Sequence, residues 1–410
     1  MNVLLIGSDP TIFQTGKAVF GDTRKRHLAY ARQLREVCGP ASQIRMMAYT
    51  PRGADYRVRE LADGLTLYPT RSFHRVTFLP DLARLLPTVL HRWKPDIISP
   101  QGPWEEGTLA FFLARWLGAK YVPQLHADIF TESWRREHWL NPWRFFLGSR
   151  LIRAADGVRV VSQGLKRHVV ARLGVAEEKV GVVPLGVNFT PVDPRTPKED
   201  FKKQIASQLS GRKTVLFVGR FCAAKNLELW VEVAQMVAQR QPGVAFLMAG
   251  HGSLLPQIQQ LVEEKGLADR FHFLGSVGHE KLPEVYAAAD VFLLTSHYEG
   301  YGRVIVEAYL AGVPVVSSRS GGPEDIVRTG VDGFLTAQPH ELADAVLGLL
   351  ADPEKAARMG QAGQARMREE FSLEVLVPRL VGCWVKACGH ERQRAGKNFA
   401  DAAAANEVRP

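Results

Sequence analysis

Val291-Phe292-Leu293-Leu294-Thr295 runs into Ser296-His297-Tyr298-Glu299-Gly300-Tyr301-Gly302, and then into Arg303-Val304-Ile305-Val306-Glu307-Ala308. The first five residues are apolar or β-branched, the length and composition of a buried strand. The next seven carry two glycines and one carboxylate, which is turn chemistry. The last six open an apolar pattern at helical spacing. Read together they form a strand, a turn and a helix, with Glu299 at the carboxyl end of the strand. Glu307 falls about two turns on. On one continuous helix an eight-residue spacing would put both carboxylates on one face. Acids at that place accept hydrogen bonds from hydroxyls of a polyol or ribose. An acid in a first helical turn is also ordinary favourable placement against the helix dipole.

The same unit recurs outward from this stretch. Val215–Val218 is followed by Gly219-Arg220-Phe221-Cys222-Ala223-Ala224-Lys225-Asn226. A glycine allows close backbone approach, Arg220 offers a planar fork and Lys225 a point charge, which together suit a diphosphate. Ala245–Ala249 is followed by Gly250-His251-Gly252-Ser253, and Val313–Ser317 by Ser320-Gly321-Gly322-Pro323-Glu324. The paired glycines expose backbone N–H groups that can form an anion nest, or simply turn the chain. Four such turns at the carboxyl ends of strands in one sheet are worth more than any one of them.

Residues 1–188 carry a second alternation of strands and helices. Strand candidates there include Val3–Ile6, Ile44–Tyr49, Asp96–Ser99, Tyr121–Leu125 and Val158–Val161. Two series of this kind predict an α/β chain with two Rossmann-like, doubly wound parallel-sheet domains facing a central cleft. The expected divisions are 1–188, a proline-punctuated linker 189–212, a second domain 213–371, a C-terminal helix 372–391 and a disordered tail 392–410. Gly16 and Gly21 lie between the first strand and its helix. His126 follows the Tyr121–Leu125 strand and is placed to face the cleft, although a lone histidine after a strand is often structural.

The chain has 410 residues and a formal charge of +10. Residues 1–188 hold 27 basic and 16 acidic side chains and six of the eight tryptophans, so the whole excess sits in that half. Arg24-Lys25-Arg26 is one basic run. Arg135, Arg136 and Arg144 lie among Trp134, Trp139, Trp143, Phe145 and Phe146. This mixture suits a membrane interface or an anionic ligand, and also a solvated basic face over a core helix. Four cysteines fit neither a disulfide framework nor a zinc pattern. The N-terminus reads as a strand rather than a signal peptide, and no apolar run is long enough to span a bilayer. No nucleic-acid-binding motif is present, and no Gly-x-Gly-x-x-Gly follows a strand, which argues against a nicotinamide dehydrogenase.

These residues resemble the retaining glycosyltransferases of family 4 (glycosyl transferases group 1), which have the GT-B fold. The likeness runs over roughly residues 1–388. It rests on Gly21-Asp22-Thr23-Arg24-Lys25-Arg26-His27, the His126 turn, Asp156-Gly157-Val158, Pro184-Leu185-Gly186-Val187-Asn188 and Gly219-Arg220 with Lys225. It continues through Gly250 and Gly252, Ala288-Ala289-Asp290, Glu299 with Glu307, Ala311–Val316 and Gly321-Gly322-Pro323-Glu324. The resemblance implies a C-terminal helix crossing back to the first domain. It implies a UDP- or GDP-sugar donor and a glycan or lipid-linked acceptor, as in cell-envelope polysaccharide or glycolipid biosynthesis. Arg220 and Lys225 would hold the diphosphate, Glu299 the donor sugar, Glu307 the ribose, and His126 the sugar from the facing domain. Gly16 or Gly21, with Gly219, Gly252, Gly302, Gly321, Gly322 and Glu324, would complete the nucleotide-sugar site. In this family the first glycine loop usually reads Gly-Gly, whereas here Asp22 follows Gly21.

No cofactor is implied, and the absence of any Asp-x-Asp pair agrees with metal-independent transfer. The expected location is cytoplasmic and peripheral on the inner membrane. A soluble enzyme acting on a small acceptor and a non-catalytic membrane-associated homologue are the other readings.

Overall fold

The computed structural model describes residues 1–7, 9–13, 23–50, 57–72, 77–187, 189–193 and 195–389. Gly16, Gly21, Asp22, Asn188 and the tail 392–410 lie outside the described residues. Among the described residues nine strands build the first half: β1 (Asn2–Gly7), β2 (Gln43–Ala48), β3 (Arg59–Glu60), β4 (Leu65–Pro69), β5 (Ile97–Pro100), β6 (Lys120–Tyr121), β7 (Gln124–Leu125), β8 (Val158–Val160) and β9 (Val180–Val182). Six build the second: β10 (Thr214–Val218), β11 (Ala245–Ala249), β12 (Phe271–Gly275), β13 (Val291–Leu294), β14 (Val315–Ser318) and β15 (Gly333–Thr336).

The second sheet is parallel, in the order β12-β11-β10-β13-β14-β15. The chain moves outward from β10 to β12, then returns to lay β13 on the other side of β10. The order therefore reverses between β10 and β13, and a crevice opens at their carboxyl ends. Every residue of β10, β11 and β13 is buried, as a sheet covered by helices on both faces requires. Trp230, on the helix Leu227–Arg240, anchors this core. It is fully buried among Phe217, Phe246 and Phe271, and its indole N–H donates to the Leu293 carbonyl at 3.0 Å.

The first sheet runs β3-β4-β2-β1-β5-β6, with only the edge strand β3 antiparallel. Its order reverses between β1 and β5. The run Tyr121–Leu125, expected as one strand, is two. Pro123 has no N–H to donate, and the sheet breaks there. β6 pairs with β5, whereas β7 pairs with β8 in a three-stranded sheet β7-β8-β9. Helices Glu132–Glu137 and Asn141–Arg153 fill the stretch between β7 and β8.

The segment after the last strand of the first half also holds a helix, Lys198–Ile205, with Phe201 buried. Lys202 Nζ donates to Asp290 (3.2 Å), and Asp290 accepts from the Thr214 backbone and hydroxyl. Burial alone would raise the Asp290 pKa, but Lys198 and Lys202 together bring it below its ordinary value. The helix Leu373–Ala387 crosses back to the N-terminal domain. Trp384 meets Tyr30 edge-on at 6.2 Å, and Cys383 lies against Gly181.

Candidate active site

The two loops that leave β10 and β13 meet in the crevice. Lys225 ends a short 3-10 turn, Ala223–Lys225, and Asn226 follows with φ 46°. Thr295 Oγ1 donates to the carbonyls of Lys225 (3.2 Å) and Asn226 (3.0 Å), and the His297 N–H donates to Ala224 at 2.9 Å. With the backbones tied this way, Lys225 Nζ donates to Glu299 Oε2 at 2.5 Å, and Ser296 Oγ donates to the same oxygen at 3.3 Å. The side chains are only 12% and 18% exposed. At that depth either charge left alone would carry a desolvation penalty. Arg220 differs: it is exposed, and its guanidinium makes no hydrogen bond or ion pair among the described residues.

Glu299 is not on a helix. The helix Arg303–Leu310 starts after Gly302, whose φ of 96° turns the chain, so the one-face reading of Glu299 and Glu307 does not hold. Glu299 instead pairs its backbone with the glycine turn after β14. Its N–H donates to the Ser320 carbonyl (2.7 Å), and its carbonyl accepts from Gly322 (2.8 Å). A Cβ at Gly322 would lie 2.3 Å from the Tyr301 carbonyl, so only glycine permits this approach. The Gly321 N–H donates to Glu324 Oε1 at 3.4 Å. The two N–H groups expected to form an anion nest are therefore both donated within the protein, that of Gly322 to Glu299 and that of Gly321 to Glu324. Gly252 packs under Phe221, while Gly219 donates its N–H to Ala249, joining the turns after β10 and β11.

Glu307 is buried. One oxygen accepts from Arg303 Nε (2.9 Å) and the other from the Tyr286 hydroxyl (3.0 Å). Burial and then the Glu307 charge raise the Tyr286 pKa well above its ordinary value, so the phenol remains a donor.

The N-terminal domain closes on this loop. A Cβ at Gly300 would lie 2.1 Å from the His126 carbonyl, so the two domains touch there. Nδ1 of His126 is shielded from water and has no hydrogen-bond partner. Burial, and then the charges of Arg159 and Arg26, lower its pKa well below the ordinary value, so the ring is neutral. Arg159 is itself fully buried. It donates to Gln124 Oε1 (2.6 Å) and to the Val183 (3.0 Å) and Pro184 (3.1 Å) carbonyls. Two further contacts bridge the domains: the Tyr298 hydroxyl donates to Glu137, and the Gln163 N–H to Asp325.

Residues 198–366 match the family "Glycosyl transferases group 1", and residues 31–190 match "Glycosyltransferase Family 4". The chain is 30% identical over 312 residues to 2-deoxystreptamine glucosyltransferase of Streptomyces kanamyceticus, covering 73% of this chain and 80% of that one. This chain belongs to the family 4 glycosyltransferases. Among solved structures, sucrose-phosphate synthase of Thermosynechococcus elongatus superposes with a TM-score of 0.76 at 22% identity, covering 95% of this chain and all (100%) of the other. HepE of Anabaena, solved with UDP and glucose, gives 0.70 at 22% identity, covering 94% and 100%. Both show the GT-B fold.

This glycosyltransferase has a second polar cluster, which joins Thr23, Arg26 and His27 of the Gly21–His27 motif to Asp9. It lies at the other reversal point, between β1 and β5. Asp9 accepts from the hydroxyls of Thr11 and Thr23 (2.7 Å each) and from the Thr11 N–H (2.9 Å). Burial alone would raise its pKa, but these bonds and Arg26 lower it overall. His27 Nδ1 lies 2.7 Å from the Thr23 carbonyl, which assigns the proton to Nδ1 and leaves Nε2 an acceptor toward Gln101 at 3.4 Å. Burial, with Arg26, pushes the His27 pKa down to about 4. Asp9 stands just past β1, the central strand of its sheet, as the Gly219–Lys225 loop stands past β10 in the second.

Proposed function

We propose that the enzyme transfers a sugar from a UDP- or GDP-linked donor to a glycan or lipid-linked acceptor, with retention of anomeric configuration. The reading assigns it to cell-envelope polysaccharide or glycolipid biosynthesis. The observation that supports it is the Lys225–Glu299 pair at the carboxyl end of a doubly wound sheet, next to the Gly300 turn that touches the His126 backbone of the other domain.

Breaking the bond between a sugar and a diphosphate builds negative charge on the leaving group and positive charge on the sugar. Arg220 is free to meet the diphosphate, and Lys225 can exchange Glu299 for it. Cations already in place where charge develops lower the barrier without reorganisation. The exchange frees Glu299 to accept hydroxyl hydrogens of the donor sugar. Glu307, braced by Tyr286 and Arg303, would meet ribose hydroxyls. Neutral His126 can offer a hydrogen bond without repelling a cationic sugar centre. Glu299 and Glu307 hold separate partners in separate elements, so neither is assigned the nucleophile role of a retaining hydrolase, whose two carboxyls lie about 5–5.5 Å apart. With Arg220 and Lys225 serving the leaving group, transfer would be metal-independent.

The test is turnover of UDP- and GDP-sugars with glycan and lipid-linked acceptors, in the presence of a chelator, reading the anomeric configuration by NMR. A product of inverted configuration would overturn the mechanism.

A further inference from the structure

Seven large hydrophobic side chains are well exposed among the described residues, and five of them are aromatic residues between 112 and 146. These are Phe112, Trp116, Trp139, Trp143 and Phe146, from 50% to 79% exposed. Chance exposure would scatter such residues singly. Here helices Glu105–Leu117 and Asn141–Arg153 gather four of them, and Trp139 stands just before the second helix. Arg144 pairs with Glu105 at 2.6 Å near the start of both helices, and Arg115 donates to the Ala154 carbonyl (3.2 Å) near the end of both. The helices therefore run side by side in the same direction. Phe112 and Trp116 stand four residues apart on one outward stripe, and Trp143 and Phe146 three apart on the other. Trp134, grouped with these residues in the sequence, is buried, and so is Arg26.

The charge on this face is one-sided. Glu105 is paired with Arg144, Glu132 with Arg136, and Glu137 accepts from Tyr298. Arg115, Arg135 and Arg150 make no ion pair among the described residues and lie over aromatic rings, Arg150 at 4.3 Å from the Phe146 centroid. Aromatic rings flanked by arginines, with every neighbouring carboxylate engaged, match the boundary between anionic headgroups and acyl chains. No helix among the described residues is long and apolar enough to cross a membrane. The face adjoins the cleft, because Trp104, just before the first helix, packs on Trp134, and Glu137 reaches Tyr298.

We propose that this two-helix face docks the enzyme on an anionic bilayer surface, its tryptophans at the interface and the cleft mouth beside the headgroups. Sedimentation with vesicles tests it, comparing phosphatidylcholine alone with an equimolar mixture of phosphatidylcholine and phosphatidylglycerol, at low salt. The mixed vesicles should bind the protein and blue-shift its tryptophan fluorescence. Trp116→Ser with Trp143→Ser should lower the affinity by about tenfold or more, with an unchanged unfolding temperature. Phe112→Ser with Phe146→Ser serves as an independent second variant. Equal recovery on neutral and mixed vesicles, or unaltered binding by both variants, overturns the proposal. A wild-type dimer that the serine variants convert to monomer would also overturn it, because a second copy would then cover the face. No donor or acceptor enters this measurement, so its failure leaves the transfer chemistry standing.

Discussion

Lys225 and Glu299 are 74 residues apart in sequence, and their charged atoms lie 2.5 Å apart. The pair joins the loop after β10 to the loop after β13, at the point where the strand order reverses. Ser296 shares the Glu299 oxygen, and Thr295 holds the Lys225 backbone. The two side chains are a structural pair at rest and, in the proposed mechanism, part company when a diphosphate arrives.

Lys225→Ala should lower kcat on the order of 10²–10³-fold, the effect of removing one preorganised charge from a developing anion. It also leaves Glu299 shielded and unpaired. A loss of about 1–2 kcal/mol of stability should follow, most of it restored in Lys225→Ala/Glu299→Ala. Urea unfolding beside steady-state kinetics checks both. Near-normal turnover by folded Lys225→Ala would remove the diphosphate assignment.

Gly300→Ala places a methyl where the His126 carbonyl lies. The clash is between domains, so the cores of each should survive. We expect an unfolding temperature close to wild type and kcat reduced by at least about tenfold, because the domains cannot approach to align the reacting groups. Small-angle scattering should show a more open molecule. Wild-type scattering with full activity would contradict the contact.

His27 sets a pH dependence. Its pKa falls from 6.5 to about 4 on folding. Between those values the unfolded chain binds the proton and the folded chain does not. Stability is thus fully present above pH 6.5 and is lost as the pH falls toward 4, by on the order of 3 kcal/mol. Denaturation midpoints at pH 7.5 and 5 measure the slope, and His27→Gln should flatten it. An equal slope in that variant would assign the effect to other groups.

Trp230→Ala removes the centre of the second core and the bond to Leu293. Such truncations cost about 3–5 kcal/mol. Calorimetry should show a lower unfolding temperature. Wild-type stability would show that the site repacks.

Much of this protein is legible locally. Four apolar residues and a glycine turn are enough to place Glu299 past a strand, because a doubly covered parallel strand needs an unbroken apolar run and glycines end it. The alternation of such units identifies the α/β class. Some readings stopped at local pattern. A helix continuous from Glu299 to Glu307 satisfies the spacing, but the left-handed Gly302 interrupts it. Consecutive glycines look like a nest until their N–H groups are found donated to Glu299 and Glu324. Trp134 and Trp143 look alike in sequence, yet packing buries one and leaves the other outside.

The sequence by itself determined the elements, their order and which chemical groups stand at strand ends, since those follow from short-range periodicity and turn residues. The tertiary structure alone decided which ends meet. Strand order and register bring Lys225 to Glu299, His126 to Gly300, and Asp9 to Thr23. Register is set by burial of whole faces, a property of the sheet rather than of any segment in it.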